Sequence, residues 1–267
     1  RPDWYASVKM SSTRVIGSES VNSENVLGLH MGDGVLLTYL DGAEYENLMP
    51  LWDWKRLPGT TCDQGLENLM PDGWRNSYGG SDFSGVLGSG DTGLAAMIYQ
   101  RGDLTARKSY FFFTDHIVCL GSGISGETKG SVYTSVEQSR LAGEVAESDG
   151  LVRHGLTAYE FLDGEPVVET GRVSGTWTRV YPVRGDRPAA DDVFSLWIDH
   201  GQSPKGATYA YRIAPLFKAD AGPLESRVLQ NSETLQAVRY ADKIYAVFYE
   251  AGVLKLGDGQ RIEVSGP

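Results

Sequence analysis

The chain has 267 residues, of which 41% are hydrophobic and 22% charged, so it is globular and long enough for one large domain or two smaller ones. Its net charge is −11 at pH 7, which argues against nucleic acid as a partner. No run of about 18 apolar residues occurs, so neither a transmembrane helix nor a membrane partner is expected.

In chain order, short runs alternate apolar and polar residues and are bounded by Gly, Asp, Ser or Pro. They lie at 5–10, 35–40, 95–99, 109–113 and 117–120, then at 131–136, 155–161, 176–180, 194–198 and 207–213. This is the pattern of many antiparallel strands. The stretch 44–49 reads as one short turn of helix before Pro50. No segment carries an amphipathic helical period of three turns, and no heptad repeat occurs. The expected fold is all-β, a large antiparallel β-sandwich. A small polar stretch at 218–223 marks a boundary, beyond which 227–230, 235–240, 244–249 and 253–256 read as four short strands. That tail is too short to fold comfortably alone and should pack on the main sheets.

The two cysteines, Cys62 and Cys119, fit either one disulfide or two buried thiols, and their spacing excludes a zinc site. The four histidines, His30, His116, His154 and His200, show no metal-ligand spacing, and His116 and His200 read as turn residues. A Ser–His–Asp arrangement is compatible with the composition, but no Gly-x-Ser-x-Gly elbow occurs. Glycine-rich 121–126 lacks a Lys and a following helix, so it is a strand connection rather than a phosphate loop. Acidic turns Asp41-Gly42 and Asp258-Gly259 read as solvated turns before calcium sites.

Residues 14–33 are denser in polar groups, with Arg14, Glu19, Asn22, Glu24, Asn25, His30 and Asp33, and form either a solvated loop or a site. A carboxylate flanked by two amides can orient an Arg or bind sugar hydroxyls. Nearby, Trp52 and Trp54 would share one face if their segment were a strand. Their rings either stack on sugars or fill the core. Glu19 and Glu24 also raise the reading of a hydrolase with paired carboxylates.

These residues carry a resemblance. Ser11-Ser12-Thr13-Arg14, Asn22-Ser23-Glu24-Asn25, Gly32-Asp33-Gly34 and Arg56-Leu57-Pro58-Gly59-Thr60-Thr61 come in an order similar to that of polysaccharide lyase family 8. Leu104-Thr105-Ala106-Arg107-Lys108-Ser109-Tyr110 through Phe113, Ile117 through Ile124, Thr134 through Gln138, Leu196-Trp197-Ile198-Asp199-His200-Gly201 and Ala207-Thr208-Tyr209-Ala210-Tyr211 continue it. The family includes hyaluronate, chondroitin AC and xanthan lyases. It implies a supersandwich, galactose-mutarotase-like, over 1–217, and the start of a truncated C-terminal β-sandwich over 218–267. It also implies an N-terminal α/α toroid, which this chain is expected to lack. Ser23 stands where the family often has Gly or Lys, and Cys62 is not expected from the family pattern.

The resemblance implies a secreted, extracellular or periplasmic lyase acting on an acidic polysaccharide of the hyaluronan, chondroitin or xanthan class. Such enzymes act by β-elimination, removing the C5 proton of a uronate and protonating the leaving oxygen. The family carries its Asn, His, Tyr and Arg for these steps on the toroid, so none is assigned to the histidines here. Glu24 is the catalytic candidate, in a supporting role that holds a catalytic Arg or Tyr at the cleft. Asn22, Asn25, Arg14 and Trp54 are the candidate substrate-binding residues; Arg14 fits a surface salt bridge equally well. No metal and no cofactor are expected. The chain begins at Arg1 without an initiator Met or a signal segment, as a processed chain or a piece of a longer one would. The alternative reading is a non-catalytic carbohydrate-binding or domain-docking β-sandwich that uses Trp52, Trp54 and the 14–25 loop.

Overall fold

β-branched and aromatic runs punctuated by Gly, Asn and Asp fold as strands joined by tight turns. The computed structural model describes residues 3–71, 76–220, 222, 224–257 and 259–266, so Asp258 and parts of the 218–223 boundary lie outside the described residues. The chain opens with β1 (Tyr5–Met10), β2 (Ile16–Glu19), β3 (Asp33–Tyr39), β4 (Thr61–Asp63) and β5 (Asn76–Tyr78). It continues through β6 (Ser84–Ser89), β7 (Thr92–Arg101), β8 (Leu104–Phe112), β9 (Ile117–Ser125) and β10 (Ser131–Arg140). Next come β11 (Val145–Ser148), β12 (Leu151–His154), β13 (Thr157–Asp163), β14 (Pro166–Thr176), β15 (Pro188–Gln202) and β16 (Ala207–Pro215). A single helical turn, α1 (Leu216–Ala219), leads to β17 (Ser226–Asn231), β18 (Leu235–Tyr240), β19 (Lys243–Phe248), β20 (Gly252–Gly257) and β21 (Gln260–Val264).

The framework is an eight-stranded antiparallel sheet in the order β11-β12-β13-β16-β9-β8-β7-β6. Because side chains alternate, its central strands bury residues on both faces. Tyr110, Ile117, Cys119, Tyr209 and Tyr211 face inward, against the four-stranded sheet β14-β15-β10-β4 and the β1–β3 pair. Their neighbours Phe111, Val118, Leu120 and Ala210 face the other way, against Val238, Tyr245 and Val247 of the tail. The tail therefore packs on the outer face of the large sheet. Phe113 and Tyr240 stack there at 4.2 Å, and Asn231 Nδ2 donates to the carbonyls of Gly121 and Tyr209 at 3.1 and 3.0 Å.

Several local expectations change. The expected strand at 176–180 is not formed beyond Thr176, which ends β14: Trp177–Arg179 form a 3-10 turn capped by Thr176 Oγ1, which accepts from the Thr178 amide. Segment 121–126 mostly continues β9 rather than connecting strands, and a side chain on Gly121 would run into the Tyr209 ring. Residues 44–49 make hydrogen-bonded turns, not helix, and His200 lies inside β15. Cys62 and Cys119 are buried and unbridged, and burial pushes the Cys119 thiol up to about 12.

Glu137 sits inside the sandwich and makes no ion pair among the described residues. Glu137 of β10 is 3% exposed and accepts from Tyr45 Oη at 2.9 Å, Tyr159 Oη at 3.0 Å and its neighbour's amide, Gln138 N, at 2.9 Å. Burial outweighs these donors and lifts its pKa from 4.5 to about 7. The folded chain holds that proton more tightly than the unfolded chain, so the stability it contributes is complete below pH 4.5 and lost as pH rises through 7. The loss amounts to about 3 kcal/mol at full ionisation. Thermal melts from pH 4 to 8 should show this fall in the wild-type protein and a much flatter profile in Glu137→Gln. Equal slopes for the two proteins would refute the assignment.

Candidate functional site

The polar segment between β2 and β3 rests on close backbone crossings. A Cβ on Gly32 would lie 2.2 Å from the Gly17 Cα, and one on Gly59 would lie 2.4 Å from the Gly34 carbonyl oxygen. Gly34 and Gly59 also have φ of 89° and 82°, open to glycine at no steric cost. Beneath this crossing, Tyr110 Oη donates to Gly34 O at 3.0 Å and Lys108 Nζ donates to Gly59 O. Full burial drops Lys108 from 10.5 to about 7. The Gly-Asp-Gly, Arg-Leu-Pro-Gly and Ala-Arg-Lys-Ser-Tyr stretches thus meet at one point.

Asp33 is the charge at that point. It is 1% exposed, and Arg101 grips it through Nε and Nη2, each at 2.9 Å. His30 Nδ1 lies 2.8 Å from Asp33 Oδ2, the oxygen that Arg101 Nε also holds, and His30 Nε2 lies 3.1 Å from Cys62 Sγ. Burial alone would raise Asp33, but His30 and Arg101 hold it down at about 2. Burial likewise opposes charge on His30, yet Cys62 and Asp33 bring it up to about 9. The buried network clamps the 3-10 turn Gly28–His30, because Arg101 Nη2 also donates to Leu29 O at 3.3 Å.

The loop above is exposed and polar. Glu19 ends β2 opposite Asn76. Asn22, Ser23 and Asn25 adopt φ of 62°, 58° and 52°, a left-handed region that asparagine tolerates better than most residues. Glu24 is extended and exposed, and its Oε1 accepts from Tyr181 Oη at 3.0 Å. The Asn25 amide packs over Gly28, where a Cβ would lie 2.6 Å from Nδ2. Among the described residues its buried Oδ1 has no donor. Val26 N donates to Val180 O, tying this loop to the turn that carries Tyr181.

The other candidates sit elsewhere. Arg14 is exposed and donates to Asp82 O at 3.0 Å, and it makes no ion pair among the described residues. Trp54 is wholly buried, donates to Met49 O at 3.1 Å and meets Trp52 edge-to-face at 5.5 Å. Its segment is a series of turns, not a strand, so the two rings share a core with Leu48, Leu57 and Val180 and offer no face to a sugar. Their role is to support the Val180–Tyr181 turn. Tyr181 and Arg101 escape a sequence reading because they reach the loop from strand-distant segments with no motif around them.

Residues 1–223 match the model of the polysaccharide lyase family 8 super-sandwich domain, and residues 227–267 match that of the family's C-terminal β-sandwich domain. The chain belongs to polysaccharide lyase family 8. It is 33% identical over 291 residues to the chondroitinase-AC of Pedobacter heparinus, covering 100% of this chain and 41% of that protein. It is 33% identical over 251 residues to the xanthan lyase of a Bacillus species, covering 80% of this chain and 26% of the relative. A solved chondroitinase AC lyase superposes with a TM-score of 0.94 at 32% identity, over 100% of this chain and 43% of that one. The chain thus spans about two fifths of the length of the chondroitinase AC proteins it matches.

Removing the Asp33 carboxylate strands Arg101 and His30. Asp33→Asn should lose about 3–5 kcal/mol of stability at pH 6, the cost of breaking a buried ion pair from one side. In the wild-type protein, the share contributed by Asp33 fades as pH falls from 3.8 through 2, and the share contributed by His30 fades as pH rises from 6.5 through 9. Chemical denaturation across this range should show both flanks reduced in Asp33→Asn. A loss below 1 kcal/mol would mean the network is not what clamps the turn.

Proposed function

We propose that this chain is the β portion of a lyase that cleaves uronate-containing acidic polysaccharides by β-elimination. The proton-abstracting and proton-donating groups belong to an N-terminal α/α toroid, and the 19–25 loop faces the cleft between the two parts. The single observation that carries this is the combination at that loop. Exposed carboxylates Glu19, at the end of β2, and extended Glu24 are presented beside left-handed Asn22, on a loop seated on a buried ion-pair network. Val15, Val21 and Tyr78, 47%, 42% and 47% exposed, flank the same loop and suit the packing of a further domain.

β-elimination develops negative charge on the uronate carboxylate and C5, so the cleft must hold a cation or a phenol close to it. Glu24 fits the part of holding that group: it is exposed, and Tyr181 already fixes its direction. On this reading, 1–217 is the supersandwich and 218–267 is the start of a truncated C-terminal β-sandwich domain. An extracellular acidic polysaccharide as substrate is consistent with an enzyme that acts outside the cytoplasm, secreted, extracellular or periplasmic.

A second surface favours acidic glycan over neutral glycan. A groove of about 550 Å³ on the four-stranded sheet is lined by Lys55, Arg56, Arg172 and Arg179 against Asp53 and Glu169. The Arg56 guanidinium lies 4.4 Å from the Trp197 ring centroid and is held at 3.1 Å by Glu169. The burial of Trp52 and Trp54 removes the stacking face on which a stand-alone carbohydrate-binding module would rely.

The test is a lyase assay following the ultraviolet absorbance of the unsaturated uronate on hyaluronan, chondroitin sulfate and xanthan. The isolated chain should give no rise, and the full-length enzyme should. Glu24→Gln in the full-length enzyme should lower kcat on the order of 10²-fold, with a smaller change in KM. Full kcat in Glu24→Gln would exclude it from the cleft. A rise from the isolated chain would place a complete site within the β portion.

A further inference from the structure

On the outer face of the large sheet, where the tail packs, three side chains from two distant segments align. Ser226 Oγ, at the start of β17, lies 2.7 Å from His116 Nε2. His116 Nδ1 lies 2.7 Å from Asp115 Oδ1, which also accepts from Tyr240 Oη at 3.2 Å. The carboxylate can only accept, so Nδ1 carries the proton and Nε2 is left to accept from the serine. The His116 side chain is wholly buried, its ring packed by Phe113 and Tyr240 at 5.2 and 5.7 Å. Burial holds its pKa below the ordinary histidine value, with Asp115 pulling the other way, so it is neutral near pH 7, as a general base must be.

A cation stands beside the serine. Arg212 Nε donates to Ser226 Oγ at 3.0 Å, and Glu160 fixes the far side of the guanidinium at 2.7 Å. Ser226 is half-buried and opens on a pocket of about 390 Å³ whose lining includes Asp163, Thr208, Arg212, Arg227 and Asn231. Nucleophile, correctly tautomerised base, orienting carboxylate, charge stabiliser and an open concavity therefore coincide.

We propose that Ser226, His116 and Asp115 form a site that hydrolyses short-chain acyl esters of hydroxyl-rich, anionic alcohols. Ser226 Oγ attacks the ester carbonyl carbon and its proton passes to His116 Nε2. The carbonyl–alcohol bond breaks and the alcohol leaves with that proton. Water then attacks the acyl-serine, giving one proton to His116, and the carboxylic acid departs as Ser226 recovers its proton. The Arg212 charge favours the tetrahedral oxyanion, and with Arg227 it favours an anionic alcohol part. The small pocket admits a short acyl group. The site keeps the Asp–His–Ser chain order of subtilisin, but its Asp and His are sequence neighbours and it lacks a strand-to-helix elbow.

The test uses the wild-type chain, a fluorophosphonate probe and p-nitrophenyl acetate. Peptide mass spectrometry should find the phosphonyl adduct on Ser226, and ester hydrolysis should follow a single ionisation of the base. Ser226→Ala should abolish both, and His116→Gln and Asp115→Asn should slow labelling at least about 10²-fold while melting curves confirm folding. No adduct on Ser226 in the folded wild-type protein, or hydrolysis that survives Ser226→Ala, would overturn the proposal and leave the three residues as a hydrogen-bonded joint between the large sheet and the tail. Because the wild-type labelling needs no variant, the answer does not depend on a mutant folding. It is also independent of the lyase assay.

Discussion

The structure hangs on one buried negative charge. Asp33 sits at the start of β3 where three parts of the chain cross, and it is neutralised by Arg101 from β7 and His30 from the turn before it. A carboxylate so deeply buried persists only if fully paired, so Arg101 and His30 must reach it in one geometry. That requirement sets the path of the backbone. Gly32 and Gly34 flank Asp33 because the chain passes within van der Waals contact of Gly17 and Gly59, where any side chain would collide. The interaction that stabilises the interior therefore also fixes where the loop above it emerges.

Burial of the central strands on both faces explains what the sequence discloses and what it hides. Residues 110–112 of β8, 117–120 of β9 and 209–211 of β16 are apolar and aromatic runs because they meet either the four-stranded sheet or the tail, and they are legible at once. β6 and β14 are not. Both are edge strands with mostly exposed residues, and Gly85, Gly88 and Gly171 weaken their pattern. β4, three residues long, is invisible without its pairing to β10. The polar loop at 19–25 stands out by composition, but its supports do not. Tyr181 reaches Glu24, and Arg101 the Leu29–Asp33 stretch below it, from far along the chain, and only the fold brings them there.

The two tryptophans show the limit of reasoning from residue type. Trp52 and Trp54 stand beside two cations in a polar neighbourhood, which is the setting of many sugar-stacking sites. Here each indole N–H has found a backbone carbonyl, of Gln138 and Met49, and the rings have turned inward. A tryptophan whose one donor is satisfied inside the protein can be buried at little polar cost. Trp197, 7% exposed beside the basic groove, is covered by Arg56.

Strain and rigidity are divided in a way that suits a site completed by another part of the enzyme. Three departures into left-handed backbone, at Asn22, Ser23 and Asn25 on either side of extended Glu24, carry a conformational cost that survives only where surroundings over-determine the chain. The Asp33 network supplies that from below, and the Val26–Val180 bond supplies it from the side. Glu24 is then held in an extended conformation with its carboxylate already oriented by a phenol. A group fixed before its partner arrives loses little freedom on engaging it, so the interaction energy goes into orienting the partner. A carboxylate on a flexible surface loop would spend much of the same energy on ordering itself. The rigid base beneath an exposed loop is thus a physical precondition for Glu24 to position a catalytic group rather than merely to attract one.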